Sequence, residues 1–254
     1  MIQSYRSWII GFLTCLTLIV SGCATSVHTS IYPNHFISPE SSGGFLKGNV
    51  AIGVTTGQEL VIISAAASPG AKVSPTFEAN TDVALDLWLG IIKGIDIEPL
   101  QATGLYGLKL QILGDSVKDA KEGNFSVALF ARYGSIDENQ TINDYTIFQG
   151  TVGTVYSTSH RRTYDGGLSF GYRTNENIVF SATPFYTKRT FQGSLNTSTP
   201  VPFSGVFAQY GLDLGVEWRS GFGVLKGDMA LTESEAMGIH VFNPYIGLEF
   251  GVTW

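Results

Sequence analysis

Apolar residues alternate with small or polar residues along much of this chain. Between Val206 and Arg219 one parity is entirely apolar, and every charged residue falls on the other parity. The stretch Tyr245–Trp254 repeats the arrangement, with its apolar face at the even positions. A period of two predicts β-strands whose two faces meet different surroundings.

The same pattern predicts further strands. It is clear at 83–91, 106–112, 125–133 and 164–173, and weaker at 49–56, 59–65, 95–100, 145–157, 177–188 and 223–230. Turn-forming residues at Gly114-Asp115, 173–177 and 219–221 separate several of these stretches. The chain is therefore predicted to be all-β.

Alternation fits either a transmembrane barrel or a soluble β-sandwich. Two details favour the barrel. The non-apolar face is rich in Gly, Ala and Ser, which suit a narrow lumen better than a solvated surface. Aromatic residues mark strand ends on the apolar face, as in the aromatic girdles of membrane barrels; these are Tyr133, Tyr164, Tyr172, Tyr210, Trp218 and Trp254.

Composition agrees with a membrane barrel. Charged residues make up 14% of the chain, against about 25% in soluble domains. The net charge of −6 argues against a nucleic-acid partner.

The front of the chain reads as an export signal. Arg6 precedes a run of about thirteen mostly apolar residues, which is shorter than the ~20 of a transmembrane helix. The run ends in Val20-Ser21-Gly22-Cys23, which resembles the lipobox of bacterial lipoproteins. The resemblance implies that Cys23 is lipidated, with palmitate-type acyl chains, and becomes the first mature residue. Since Ala24 rather than Asp follows it, the resemblance also implies sorting to the outer membrane.

Cysteine usage restricts the chemistry. The chain has two cysteines, and Cys15 lies in the predicted leader. With Cys23 lipidated, no disulfide, thiol catalyst or cysteine-based zinc site is expected.

The stretch Tyr245–Trp254 also resembles the C-terminal insertion signal of bacterial outer-membrane proteins, with Trp254 where Phe is commoner. The resemblance implies insertion by the barrel-assembly machinery, as a transient partner.

These patterns predict three regions: a lipoprotein signal peptide at 1–22, a lipidated Cys23 with a flexible tether at 23–44, and an antiparallel transmembrane β-barrel at 45–254. A lipid and a last strand end that both face the periplasm require an even strand number. The candidates allow eight to twelve strands, and ten is the best estimate. Counting back from Trp254 places outward loops near 232–240, 190–203, 159–163 and 115–123, and puts the connection 136–144 on the periplasmic side.

Charged residues at the lumen parity are expected to form either a charged channel or an ion-pair network that fills a small barrel. The second is favoured, because side chains can fill a barrel of this size. These residues are Asp86, Lys109, Arg132, Asp165, Arg173, Asp213, Glu217 and Glu249.

Enzymatic chemistry has weak support. No H-E-x-x-H motif occurs, and no cofactor, metal or catalytic residue is predicted. His160 and His240 are expected at the outer rim, where lipid- or peptide-modifying barrel enzymes carry their histidines.

Four cations are also expected at the outer rim, where they could pair with lipopolysaccharide phosphates or be solvated charges: Arg161, Arg162, Lys188 and Arg189. The favoured role is a lipid-anchored outer-membrane barrel that is structural, surface-binding or a narrow, porin-like channel. A rim-active enzyme and a soluble periplasmic β-sandwich lipoprotein are the alternatives.

Overall fold

The computed structural model describes residues 24–31, 36–65, 73–99, 105–142, 146–147, 151–152, 155–196 and 201–254. Every regular element in these ranges is a β-strand. They are β1 (Ala24–Ile31), β2 (Gly48–Ala65), β3 (Val73–Ile92), β4 (Ile95–Glu98), β5 (Leu105–Leu113), β6 (Phe125–Ile142), β7 (Thr146–Ile147), β8 (Thr151–Val152), β9 (Val155–Arg173), β10 (Ile178–Asn196), β11 (Val201–Ser220), β12 (Gly223–Ala236) and β13 (Ile239–Thr253).

Ten of these strands close into an antiparallel barrel. Each strand pairs with its neighbour in the order β2-β3-β4-β5-β6-β9-β10-β11-β12-β13, and β13 pairs back onto β2 through Gly247↔Thr55 to Thr253↔Asn49. β7 and β8 form a separate small hairpin. The predicted all-β barrel and its ten strands are confirmed, and the soluble sandwich is wrong because the sheet has no free edge at this closure.

The two ends of the barrel differ. The end that carries Gly48 and Trp254, here called the base, has the short turns 93–94, 174–177 and 221–222 as well as the connection 114–124. The opposite end, here called the mouth, carries the turn Met237–Gly238 and the connections 66–72 and 197–200, which lie outside the described residues.

Three predicted turn positions are wrong. Residues 159–163 lie within β9, and the connection around 115–123 lies at the base. β6 continues through Ile142, so 136–144 does not turn at the base. The apolar alternation stops near Tyr133 because the rest of β6 is polar on both faces, and a count based on alternation therefore ended this strand too early.

Strand assignments differ in the same way elsewhere. The separate candidates 49–56 and 59–65 are one strand, β2. Of the described residues in the candidate 145–157, β7 and β8 form the small hairpin and residues 155–157 begin β9.

Candidate functional site

The outer surface of the barrel is an apolar belt. Side chains that point outward are exposed and mostly aliphatic or aromatic, including Ile52, Leu108, Leu129, Phe170, Leu214, Met229 and Phe250. Because exposed apolar patches of this extent are unusual on soluble proteins, the belt marks a surface that contacts lipid.

Aromatic rows border the belt on both sides. Towards the mouth, Tyr106 pairs with Tyr133, which pairs with Tyr164, and their neighbours Tyr186 and Tyr210 pair with each other. We call these five residues the tyrosine row; the rings of Tyr133 and Tyr164 are 5.1 Å apart.

Towards the base, Phe125 pairs with Tyr172, which pairs with Phe180. The segments between the rows, such as 125–133 and 164–172, match the ~9–11 residues with which a tilted strand crosses a bilayer.

The inner surface is charged and buried. All eight of the charged residues at the lumen parity are less than a tenth exposed. Further charged residues, which were not among those eight, are also buried: Glu40, Asp96, Glu98, Arg161, Arg189, Arg219, Lys226 and Asp228. Several of them lie on strands with weak alternation, so the pattern gave no signal for them.

Arg132 is the centre of the largest ion-pair group. Its Nε lies 2.6 Å from Glu98, its Nη1 3.5 Å from Asp165 and its Nη2 4.0 Å from Asp86. The guanidinium also lies 5.6 Å from the centre of the Trp88 ring. One cation thus holds three carboxylates from three different strands.

Two lysines form further ion pairs in the barrel. Lys226 Nζ is 2.6 Å from Asp86 and 3.4 Å from Glu249, and Lys109 Nζ is 2.9 Å from Asp96. Because Asp86 touches both Arg132 and Lys226, their pairs form one connected network over β3, β4, β6, β9, β12 and β13, and Lys109 with Asp96 forms a separate pair between β5 and β4.

A segment that precedes the first barrel strand lies inside the lumen. Residues Phe36–Ser41, here called the lumen segment, are all buried. Ser169 Oγ donates to the carbonyl of Ile37 at 2.6 Å, and Lys109 Nζ donates to the carbonyls of Ser38 at 3.2 Å and Glu40 at 3.1 Å.

The carboxylate of Glu40 is the main polar anchor of the lumen segment. Arg173 donates to both of its oxygens, and Asn124 Nδ2 donates to Oε1 at 3.0 Å. Near the base, Gln111 Oε1 accepts from the amide of Ser41 at 2.8 Å. Lumen walls on β5, β9 and the 114–124 connection therefore hold this segment from several sides.

Glycines in the wall make room for the lumen segment. A Cβ at Gly215 would overlap the Phe36 ring, and one at Gly171 would overlap Pro39. The small residues at lumen-facing positions therefore have two causes: the barrel is narrow, and part of its interior is taken up by the lumen segment.

The predicted flexible tether at 23–44 needs a correction. Its described parts form β1, which pairs with β2, and the buried lumen segment. Composition rich in Ser, Pro, Asn and Gly suggested an external linker, but these small residues are also the ones that fit a narrow polar interior. Cys23 and the predicted signal peptide lie outside the described residues.

The four predicted rim cations divide into two pairs. Arg162 and Lys188 are exposed on the outer face, one step beyond Tyr164 and Tyr186 towards the mouth. Arg161 and Arg189 are 5% and 2% exposed and face inward. The two pairs differ because adjacent residues on a strand point to opposite faces.

Both histidines of the described barrel lie on the outer wall near the mouth. His160 Nδ1 is 2.7 Å from Asp137 Oδ1, and its Nε2 is 3.4 Å from Ser135 Oγ. His240 lies 3.3 Å from Glu233.

The acid–base–hydroxyl order of Asp137, His160 and Ser135 is that of a nucleophilic triad. However, Arg162 Nε donates to the same His160 Nε2 at 3.2 Å and occupies the lone pair that a general base would use. The Asp137 side chain is 83% exposed, so water also screens it.

Outside the barrel wall, the 114–124 connection is joined to the base turn by one exposed ion pair. Lys93 Nζ lies 2.9 Å from Asp119, and this hydrogen bond raises the pKa of Lys93 and lowers the pKa of Asp119. Among the described residues, no group of three or more His, Cys, Asp or Glu could hold a metal ion, and no described helix is long and apolar enough to span a membrane.

The closed sheet, the apolar belt and the paired aromatic rows define this chain as a ten-stranded β-barrel of the outer-membrane type. Two solved structures are similar, both of Ail, the attachment invasion locus protein of Yersinia pestis, one of them in complex with the heparin analogue sucrose octasulfate. Each is 10% identical and covers 83% of this chain and 99% of its own, with TM-scores of 0.36 and 0.37. No protein-family model matches the chain, and neither does any curated protein. The assignment to the outer-membrane type therefore rests on the strand pairing of this chain and on its apolar outer surface.

Proposed function

We propose that this protein is a lipid-anchored barrel of the bacterial outer membrane that does not conduct and that acts through the wall displayed at its mouth. The observation that carries the proposal is the filled lumen. The lumen segment occupies the half nearer the base, and the ion-pair network of Arg132 and Lys226 crosses the barrel beside it.

The apolar belt supports a membrane location, and the unequal ends support an orientation. Short turns at the base and long strands at the mouth match the short periplasmic turns and longer extracellular parts of outer-membrane barrels. In this orientation the base faces the periplasm and the mouth faces outside. We also propose that the barrel-assembly machinery inserts the protein and contacts it only transiently.

The part available for binding is the wall beyond the tyrosine row. β6, β9, β10 and β11 continue well past Tyr133, Tyr164, Tyr186 and Tyr210 towards the mouth. An open depression of about 660 Å³ lies on this wall, lined by residues that include His160, Gln192 and Phe203. An open depression with a mostly polar lining supports a surface-binding role over transport through the lumen.

Planar-bilayer recording tests the closed state. We expect purified, folded protein to give no stepwise conductance, because buried side chains and backbone leave no continuous water path. Insertion is checked in parallel by the mobility shift between unboiled and boiled samples in SDS. Regular conductance steps from heat-modifiable protein would contradict the proposal and favour the narrow channel.

Lipopolysaccharide binding is a second element of the proposal, now restricted to Arg162 and Lys188. These cations lie on paired strands just beyond the tyrosine row, where headgroup phosphates would be found. We expect Arg162→Ala with Lys188→Ala to lower the lipopolysaccharide that co-purifies with the barrel by a factor of a few.

The buried pair provides the matched control for this experiment. Arg161→Ala with Arg189→Ala should leave the bound lipopolysaccharide per folded barrel unchanged while lowering the temperature at which the barrel unfolds. If the inward pair reduced binding and the outward pair did not, this assignment would be wrong.

A further inference from the structure

The path of the chain before the first barrel strand decides on which side of the membrane it begins. β1 runs antiparallel to β2, with Ile31 opposite Gln58 and Ala24 opposite Ala65. These positions are on the half of β2 nearest the mouth, since its first residues, Asn49 to Thr55, pair with β13 near the base. Ala24 therefore lies at the mouth.

From the mouth the chain passes through the barrel to the base. Phe36 packs against Gly215 and Lys226 in the wall, and Ser41 accepts a hydrogen bond from Val117 in the base connection at 3.0 Å. Lys47 and Leu46 then bond to Gly90, and β2 begins at Gly48 beside Trp254. The lumen segment thus runs from the inside of the barrel towards the base, and β2 returns to the mouth within the wall.

We infer that the segment before Phe36 emerges on the outer side of the membrane, so that the lipid predicted on Cys23 is delivered to the cell surface and not to the inner leaflet. The inference rests on the orientation in the proposed function, with the base facing the periplasm. Cys23 precedes Ala24 directly, and Ala24 pairs with the strand extension at the mouth.

The contents of the lumen explain why this arrangement would be permanent. Glu40 is held by Arg173 and Asn124, and the surrounding wall residues are buried against the segment. A diacylated residue could not pass a lumen filled in this way. The barrel must therefore close around the lumen segment during assembly, with the lipid end already on the outer side.

The same geometry gives the lipid a purpose that a barrel with its own apolar belt otherwise lacks. Inside the barrel the lumen segment is held by the wall, but β1 lies at the mouth, where its pairing with β2 alone would leave it prone to fraying. An acyl anchor on the outer side would hold it against such movement, while the ion pair of Glu40 with Arg173 holds it from the base side.

A cleavable tag tests this inference in intact cells. An epitope with a site for an added, membrane-impermeant protease is inserted between Ala24 and Thr25. The same tag is inserted between Met237 and Gly238 at the mouth, and between Asn175 and Glu176 at the base. Each protein is labelled with fatty acid, and its folding is checked by heat-dependent mobility.

We expect the tag after Ala24 to be cut on intact cells as completely as the Met237 tag, while the Asn175 tag is cut only after the outer membrane is permeabilised. Cleavage after Ala24 should also separate the fatty-acid label from the barrel. An Ala24 tag that stays uncut beside a cut Met237 tag would overturn the inference but leave the proposed function intact. An uncut Met237 tag with a cut Asn175 tag would overturn the orientation and so the proposed function.

The fatty-acid label tests the position of the lipid separately. A barrel with no fatty-acid label before cleavage, or with the label retained after cleavage, would overturn the lipid half of the inference. Thr25→Cys and Ser26→Cys, labelled with an impermeant maleimide, give a second measurement without an insertion, since neighbouring residues on β1 point to opposite faces.

Discussion

Arg132→Met should abolish the heat resistance of the folded barrel. Arg132 is 4% exposed and is the shared cation of Glu98, Asp165 and Asp86, all of them buried. Removing one partner of a buried ion pair costs about 3–5 kcal/mol, because the remaining charge is left unpaired in a poorly solvated interior. A loss of this size is a large part of the roughly 5–15 kcal/mol that separates folded from unfolded states of ordinary proteins.

Methionine is chosen because its length nearly fills the space of the Arg132 stem, so the loss of charge is separated from the loss of volume. The measurement is the temperature at which half of the protein moves from the folded to the unfolded band in SDS. Lys93→Met is the matched control: it removes the cation of an exposed pair with Asp119, and surface pairs of this kind contribute little. Equal transition temperatures for Arg132→Met and wild type would show that the network does not hold the barrel together.

Replacing the lumen segment Phe36–Ser41 by a Gly-Ser stretch of the same length should open the barrel. The change removes the Phe36 ring from the wall and the Glu40 carboxylate from Arg173, Asn124 and their surroundings. Loss of a buried Phe side chain alone costs about 3–5 kcal/mol. The expected results are stepwise conductance where the wild type has none, and a lower unfolding temperature.

A pair of glycine substitutions in the wall tests whether the lumen segment closes the barrel without changing the sequence of that segment. Gly215→Val places its side chain where Phe36 lies and should displace the lumen segment. Gly227→Val is the control, because a Cβ there has only ordinary contacts, to Val216, Gly247 and Leu248 on the outer side. Conductance in Gly227→Val, or its absence in the Gly-Ser variant that still folds, would argue that the lumen segment does not close the barrel.

Much of the wall could be predicted from the sequence because each strand carries its own evidence. Lipid excludes charge from one face of a strand, so the charges of β11 and β13 fall on a single parity. The lipid-facing and lumen-facing side chains of both strands can therefore be assigned without knowing which strands they pair with. The tyrosines at strand ends give the height of the belt in the same local way.

The errors lie where that local constraint is absent. Beyond Tyr133 and Tyr164 both faces of β6 and β9 meet polar surroundings, so nothing in the pattern marks where these strands end. All four rim cations were expected to share one environment because a turn was placed at 159–163 and a strand end near Lys188, but along a strand a shift of one residue moves a side chain from the outer face to the lumen.

By itself, the sequence determined that this chain is a barrel with an apolar exterior and a charged interior, because those properties follow from a period of two that each strand carries alone. Only the tertiary structure decided what fills the lumen. Glu40 and Arg173 are far apart along the chain. Neither the stretch Ser38–Ser41 nor the glycines of the wall carry a sequence pattern that predicts their contact. They become a closed site only when ten strands bring Gly171, Gly215, Lys109 and Arg173 around one short stretch of chain, since a lumen exists only after the last strand has paired with the first.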